Sequence, residues 1–271
     1  MRILFSPMTA GGDFHPVVAA AVGMSQRGHE VLVYTEHEGI RALQGTEIPT
    51  QGSPRELDFS KRLMAVHDAG KEKGGSNSAK ALVEVLDAYA HDMADTIAGD
   101  ILPQFAPDLF VASLVGGAIA QKLAERTGIK TCVINSDFYD RCIPEIEYLA
   151  PAIQRADLVL HAVDREFDYG FTGLPAHNRY VGPLIWERKI PAPDYLTSQG
   201  GYWALVSISS QKQNDVPIAR LALSALDDLP VQIVETIGRG HRRKELGPIP
   251  SHVHIEHYVP HSVVLKQAEV M

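Results

Sequence analysis

Short apolar runs alternate with amphipathic segments along most of this chain, and this alternation constrains the fold more than any other feature. The first runs are Arg2 to Ser6 (RILFS) and His29 to Thr35 (HEVLVYT). Between them a helical pattern extends from about Phe14 to Arg27, with Pro16 in its first turn and Gly28 as its stop. A strand, a helix and a second strand at this spacing predict a right-handed parallel β-α-β unit.

The alternation continues through the middle of the chain. Helices are predicted over Ser78 to Gly99 and Gly117 to Arg126. The stretch from Glu36 to Asn77 is rich in Gly, Pro, Ser and Lys and predicts long loops, with a short amphipathic piece near Arg62 to Ala69. Further buried strands are predicted at Asp108–Ser113, Lys130–Asn135, Asp157–Ala162 and Arg179–Pro183. The pattern favours an α/β fold whose mostly parallel sheet is covered on both faces.

A proline-marked segment ending near Gly200 and Gly201 separates this first part from a second one. We therefore expect a domain over residues 1–183, a linker over 184–201 and a partial second domain over 202–271. The predicted elements of the second domain are Trp203–Ile208, a helix near Pro217–Leu226, Val231–Ile237, His252–Val259, a helix from about His261 and a strand opening at Ala268–Met271.

Composition excludes several classes of partner. The 271 residues carry a formal net charge of -8, which disfavours nucleic acid and anionic membrane surfaces. No apolar run approaches the ~18 residues of a spanning helix, and the N-terminus lacks the pattern of a signal peptide, so we expect a cytoplasmic protein. Cys132 and Cys142 are the two cysteines, and their spacing indicates neither a disulfide framework nor a zinc site.

Four stretches, in this order, resemble the UDP- and dTDP-sugar-dependent glycosyltransferases that modify small molecules, including the macrolide, glycopeptide and sterol enzymes. They lie in the first β-α-β unit, after the predicted long helix, before the linker and in the second domain. The first two are RILF through GDFHP with RGHEV, and PDLFV with the helix ending at Gly128. The others are YVGP at Tyr180–Pro183 and the second-domain set VSISS, VQIVETIG and YVPH.

The resemblance implies a GT-B fold of two Rossmann-like domains with a catalytic cleft between them. It implies inverting transfer of a sugar from a UDP- or dTDP-sugar to a hydroxyl of a small natural-product, sterol or lipid-like acceptor, without a metal or other cofactor. In the family a His-Gly-Gly or His-Cys-Gly turn, whose amides hold the donor phosphates, follows the last stretch. We therefore expect a C-terminally truncated member with little activity alone. The alternative is a half-protein that binds acceptor or a complementing C-terminal chain without transferring sugar.

Asp13 is the candidate catalytic base, because the resembling enzymes place His or Asp three residues before this proline. A free aspartate has a pKa of about 3.9, so it needs burial to act as a base near neutral pH. His15, with an ordinary pKa of about 6.5, remains open as a competing base or a group that orients the substrate. Asp13 could instead be the N-cap of the helix, with His15 in the first turn.

Many relatives orient the base with a second carboxylate just after the strand that corresponds to Asp108–Ala112. This chain has Ser113 there, which fits the branch of the family with an aspartate base, since a neighbouring carboxylate would repel it. Asp137 could take that place in space, or it could be a solvated loop residue.

On the donor side, the resemblance places a Gly-Ser or Gly-Thr turn after the first strand of the second domain. Ser209 and Ser210 occupy that turn, and the missing glycine restricts its backbone. Tyr258 stands where an aromatic stacks on the nucleobase, the backbone of Val259 would pair with the base edge, and His261 replaces a glutamine. Gly238 is the remaining candidate, and as a glycine it could simply end a strand. A half-buried aromatic at a strand end is the other interpretation of Tyr258.

A nicotinamide dehydrogenase would also open with a strand, a glycine-bearing turn and a helix. The turn from Met8 to Asp13 (MTAGGD) lacks the three-glycine spacing that seats a pyrophosphate on the helix N-terminus. The sequence therefore disfavours that class.

Overall fold

In a computed structural model of the protein, the described residues form two compact units, Met1–Trp186 and Glu187–Met271. Each unit is an α/β layer structure with a parallel sheet of its own. The structure describes residues 1–9, 11–59, 61–62, 78–137, 150–168, 173–198, 200–209, 215–238 and 240–270.

Seven strands build the sheet of the first unit, in the order β3-β2-β1-β4-β5-β6-β7. Every neighbouring pair is parallel, as the sequence predicts. The strands are β1 Arg2–Ser6, β2 Glu30–Thr35, β3 Thr50–Gly52, β4 Leu109–Ser113, β5 Lys130–Asn135, β6 Leu158–His161 and β7 Asn178–Tyr180. The helices are α1 Gly11–Gln26, α2 His37–Ala42, α3 Ser78–Thr96, α4 Leu102–Phe105, α5 Gly117–Thr127 and α6 Ala150–Arg155, with a π-helical turn Ile97–Ile101 between α3 and α4.

Strand β1 shows how this sheet is buried on both faces. Ile3 and Phe5 belong to the core that includes Val17 and Ala21 of α1. Leu4, between them, belongs to the opposite core, with residues of α3 and α5. Successive side chains of a strand point to opposite faces, so a fully apolar strand such as RILF needs helices on both sides.

Helix α1 begins three residues earlier than the sequence predicts. Gly11 and Gly12 indicate a loop by their low helix propensity, yet they form the first turn. Glycine costs less there because the first four N–H groups of a helix have no intrahelical partner in any case. Pro16 is consequently the sixth residue of α1 and not part of its first turn.

Two short elements lie in the stretch predicted as loops, Glu36 to Asn77. Helix α2 follows β2 directly, and β3 adds an edge strand to the sheet. Both are too short to produce a recognisable period in the sequence. The amphipathic piece predicted near Arg62 to Ala69 lies almost entirely outside the described residues.

The second unit has a four-stranded parallel sheet in the order β10-β9-β8-β11. Buried Trp203 and Val234 pack on one of its faces, and Ala204 and Ile233 pack with Leu223 on the other. The elements are α7 Asp194–Ser198, β8 Tyr202–Ser207, α8 Val216–Leu226, β9 Val231–Thr236, β10 Val253–Glu256, α9 His261–Leu265 and β11 Ala268–Val270. Within the described part of the chain, the helices are all too short or too polar to cross a membrane.

Candidate functional site

The carboxyl ends of β1, β4 and β5 are adjacent in the first sheet, and the segments that follow these strands carry the first group of candidate residues. Ligands of open parallel sheets bind at this edge. Asp13 follows β1, Ser113 ends β4, and Asp137 follows β5. The topology therefore collects these three residues at one edge.

Asp13 is the third residue of α1 and is only 7% exposed. Burial first, and the charge of Asp137 second, raise the pKa of its carboxyl group to about 7. A hydrogen bond donated by the Val115 backbone N–H acts the opposite way. A carboxyl group with a pKa near 7 can accept a proton at neutral pH.

The alternative role of Asp13 as the N-cap of the helix is wrong. Asp13 lies inside the first turn, and its carboxyl group accepts a hydrogen bond from Val115 in the segment after β4, outside α1. A negative side chain in the first helical turn is nonetheless favoured by the helix dipole.

The turn containing Asp137 is fixed by the side chain of Asn135. The Asn135 Oδ1 atom accepts a hydrogen bond from the Asp137 N–H at 2.9 Å, and its Nδ2 donates to the Asp137 carbonyl at 2.9 Å. Burial raises the pKa of Asp137 as well. Asp137 is exposed, as the interpretation of a solvated loop residue predicts, and its charge raises the pKa of Asp13.

Asn135 is itself held by a buried chain of side chains across β5, β6 and β7. Its Nδ2 also donates to His161 Nδ1 at 2.9 Å, and His161 Nε2 lies 2.8 Å from Asn178 Oδ1. Since the amide can only donate to Nδ1, the proton of His161 is on Nε2. Burial lowers the pKa of His161, which agrees with a neutral ring. No motif in the sequence marks these residues, because each is a polar residue at the end of a short strand and its partner lies on another strand.

His15 lies on the exposed side of α1. It is the fifth residue of the helix, past the first turn, and its ring contacts Phe14 and Trp186 edge to face at centroid distances of 5.9 and 5.6 Å. Ser113 is fully buried, and its Oγ accepts a hydrogen bond from the Gly116 N–H at 3.4 Å. Ser113 thus closes the turn after β4.

The candidates of the second unit lie at the carboxyl edge of its own sheet. The Ser209 N–H donates to Asp215 Oδ2 at 2.7 Å, and Asp215 Oδ1 lies 2.9 Å from Nε2 of buried His241. Glu245 approaches the other ring nitrogen of this histidine at 3.4 Å. Asp215 therefore links the segment after β8 to the segment after β9. Ser210 lies outside the described residues.

His261 joins the ends of two strands in the same unit. Thr236 Oγ1 donates to Ser207 Oγ at 2.9 Å and lies 3.2 Å from His261 Nε2. With the threonine proton engaged, its oxygen can accept from His261. The last residues of β8 and β9 and the first residue of α9 therefore meet at one point.

Tyr258 is 38% exposed, two residues after the end of β10. Its hydroxyl accepts a hydrogen bond from the Arg188 N–H at 3.0 Å, while the neighbouring Val259 is buried. Gly238, with a φ of 58°, follows β9, and its carbonyl lies 2.6 Å from His257 Nδ1. The structure thus brings Gly238 and Tyr258 to neighbouring loops. Among the described residues, no group of three or more His, Cys, Asp or Glu side chains is arranged to hold a metal ion.

Comparison of the sequence with known proteins gives distant relatives. No family model matches the chain. The 4'-demethylrebeccamycin synthase of Lentzea aerocolonigenes is 23% identical, with all of this chain and 77% of the relative covered. A PGL/p-HBAD biosynthesis glycosyltransferase of Mycobacterium tuberculosis is 25% identical over 99 residues, which are 36% of this chain and 22% of the relative. The match therefore spans less than a quarter of the mycobacterial protein.

Comparison of the structure gives a more extensive likeness. The glycosyltransferase SnogD of Streptomyces nogalater matches with a TM-score of 0.72 at 18% identity, over 100% of this chain and 75% of that one. The glycosyltransferase SsfS6 of Streptomyces sp. SF2575, solved with thymidine diphosphate, matches with a TM-score of 0.66 at 15% identity, over the same shares. The chain has the GT-B fold of natural-product glycosyltransferases.

Proposed function

We propose that the protein is an inverting glycosyltransferase that moves a sugar from a UDP- or dTDP-sugar to a hydroxyl group of a small-molecule acceptor. The observation that carries the proposal is Asp13, a buried carboxyl group with a pKa of about 7 at the carboxyl edge of the sheet. The GT-B fold and the glycosyltransferases among its relatives agree with it. In line with the N-terminal sequence and with the resemblance to metal-independent enzymes, we place the reaction in the cytoplasm and assign it no metal.

Asp13 would act as the general base of this reaction. The acceptor hydroxyl loses its proton to the Asp13 carboxylate as its oxygen attacks the anomeric carbon of the donor. The bond from that carbon to the diphosphate breaks on the opposite side, and the diphosphate leaves with the electron pair. Attack from the face opposite the leaving group inverts the anomeric configuration. Positioned base catalysis of this kind contributes about 10²- to 10⁴-fold in rate.

The second unit would hold the donor. The Tyr258 ring, 38% exposed, offers a face for the nucleobase, and the backbone of Val259 lies beside it. Ser209 follows β8, and His261 at the start of α9 contacts the last residue of β9, so that hydroxyl, amide and imidazole groups can donate to phosphate oxygens there. A thymidine diphosphate complex is known for the similar structure SsfS6, which makes dTDP-sugars the first donors to test.

The decisive experiment has two stages. Isothermal titration of the full-length protein against UDP, dTDP, ADP and GDP fixes the nucleotide, and we expect binding of UDP or dTDP in the absence of divalent metal. The matching nucleotide sugars are then incubated with a panel of small hydroxylated acceptors, and release of the nucleoside diphosphate is measured. NMR of the product gives the anomeric configuration. Acceptor binding without sugar transfer, or a product with retained configuration, would contradict the proposal.

A further inference from the structure

Glu36 is a buried carboxylate that contacts three separate segments of the first unit. It follows β2 directly and is 2% exposed. Its Oε1 atom accepts hydrogen bonds from the Tyr89 hydroxyl at 2.6 Å and from the Phe59 N–H at 3.1 Å. Its Oε2 atom accepts one from the Thr9 hydroxyl at 2.5 Å. Glu36 therefore connects α3, the segment at Phe59 and the segment that follows β1.

A second hydrogen bond, besides the one to Thr9, joins the segment after β1 to the end of β2. The Thr35 hydroxyl donates to the Pro7 carbonyl at 3.0 Å. Pro7 and Thr9 lie between Ser6, where β1 ends, and Gly11, where α1 begins. Asp13 is four residues beyond Thr9, in the first turn of that helix. The entry to α1 is thus fixed to the neighbouring strand before the chain reaches Asp13.

The three partners of Glu36 are all hydrogen-bond donors, which suits an ionised carboxylate. Two hydroxyl groups and one amide face the two carboxylate oxygens, and an ionised carboxylate is a group that only accepts. Burial raises the pKa of Glu36 above its ordinary value, and the hydrogen bonds from Thr9, Tyr89 and Phe59 limit that rise. A buried carboxylate persists where such donors offset its lost hydration.

We propose that Glu36 is a positioning residue, which holds the start of α1 through Thr9 and so places the Asp13 carboxyl group for its reaction. The proposal rests on the assignment of Asp13 as the base. It makes Glu36 a residue that acts on the acceptor hydroxyl only through Asp13.

Two matched substitutions separate this role from a general contribution to folding. Thr9→Val removes the hydroxyl that donates to Glu36 Oε2 and keeps the branched shape of the side chain. Tyr89→Phe removes a hydroxyl that donates to Oε1 and leaves the Thr9 bond in place. Each variant deletes one hydrogen bond to the same carboxylate, but only Thr9→Val releases the segment that leads to Asp13.

Hydrogen exchange of the peptide spanning residues 7–14 is the first measurement, because it requires no enzymatic activity. We expect Thr9→Val to speed exchange there by about tenfold, the effect of losing roughly 1.4 kcal/mol of local stability, and Tyr89→Phe to change it less than about twofold. The pKa of Asp13, followed by carbon NMR of its carboxyl group, should move toward its ordinary value in Thr9→Val alone. Equal exchange in the two variants, or an unchanged pKa in Thr9→Val, would overturn the proposal.

Turnover supplies the second measurement. Misplacing a reacting group by a fraction of an ångström lowers kcat more than it raises KM, and we expect Thr9→Val to lower kcat by about tenfold. Glu36→Gln should restore most of what Glu36→Ala loses, since the amide oxygen can serve Tyr89 and Phe59 while its nitrogen donates to the Thr9 oxygen. A wild-type protein that transfers no sugar would refute the proposed function but leave the exchange and NMR results on Thr9→Val intact. Normal kcat in Thr9→Val, with transfer by the wild type, would refute the positioning role alone.

Discussion

The two units each bury a glutamate at a strand end, and the surroundings of the two carboxyl groups differ. Glu36 of the first unit accepts three hydrogen bonds from three segments. Glu235, the fifth residue of β9 in the second unit, is fully buried, and neither of its oxygens has a hydrogen-bond partner among the described residues. Its register neighbours are the apolar Val206 and Ile255.

The difference indicates what each carboxyl group does. Burial without donors raises the pKa of Glu235 to about 7, so the group is mostly neutral below that pH and destabilises the fold when it ionises. Glu36 has the donors that an ionised group needs, and one of them, the Thr9 hydroxyl, lies in the segment that leads to Asp13. We therefore expect Glu36 to organise the candidate site of the first unit. Glu235 in the second unit should instead lower the free energy of unfolding when it ionises.

Replacing Asp13 should give the largest effect on turnover, and this effect tests the role assigned to the first unit. Asp13→Asn keeps the size of the side chain and removes the base, and we expect turnover to fall about 10²- to 10⁴-fold. Release of nucleoside diphosphate from the full-length protein measures the loss. An effect under threefold would remove Asp13 from the mechanism and direct attention to His15.

Stability measurements on the same variant show whether the loss is local. The folded-state pKa of Asp13, about 7, lies above the ordinary value near 3.9. A group raised in this way lowers the free energy of unfolding as pH increases between the two values, and the asparagine lacks this penalty. Asp13→Asn should therefore unfold at the same or a higher urea concentration than the wild type at pH 8. A lower midpoint would mean that misfolding contributes to the lost turnover.

Glu235→Gln should give the opposite pattern, a change in stability with little change in turnover. The unfolded pKa is about 4.3 and the folded pKa about 7, so the glutamate costs nothing below pH 4.3 and an increasing amount up to pH 7. We expect the free energy of unfolding of the variant relative to the wild type to rise by about 2 to 3 kcal/mol between pH 5 and pH 8. Urea unfolding at the two pH values measures it.

Asp228→Asn is the matched control for Glu235→Gln, since it removes an exposed carboxylate from the same unit. The control should leave the pH dependence of stability unchanged within about 0.5 kcal/mol. If Glu235→Gln follows the wild type at both pH values, then Glu235 is hydrated or paired in solution, and the contrast with Glu36 fails.

The sequence predicted the long elements of both units well, because they repeat a strong apolar pattern. The strands RILFS and KTCVIN and the helix Gly117–Thr127 are found where expected. Short elements were missed where no full period exists, as with α2 and α6. The predicted start of α1 was wrong, because the position of Gly11 and Gly12 at a helix terminus outweighed their low helix propensity.

The candidate site was predictable only where a residue has a sequence motif around it. Asp13 stands in such a motif, and the structure shows it buried with a raised pKa. Glu36, Asn135 and His161 do not, because the hydrogen bonds that distinguish them reach partners 17 to 53 residues away along the chain. Single polar residues at strand ends are common. The hydrogen bonds that distinguish these three cannot be recognised in the sequence, because the partners are far away along the chain.

The smallest expected effect is that of replacing Asp137. This substitution tests whether the first unit adjusts the pKa of Asp13 in addition to positioning its carboxyl group. The Asp137 charge raises the pKa of Asp13, so Asp137→Asn should lower that pKa. Because the base acts in its ionised form, the acid limb of kcat/KM against pH should move to lower pH, by about half a unit, and activity at pH 6 should rise about two- to threefold over the wild type. Glu30→Gln, an exposed carboxylate at the amino end of β2, should leave the limb in place. An acid limb that moves to higher pH in Asp137→Asn would mean that Asp137 stabilises the ionised base through water or the acceptor, and the tuning would have the opposite sign.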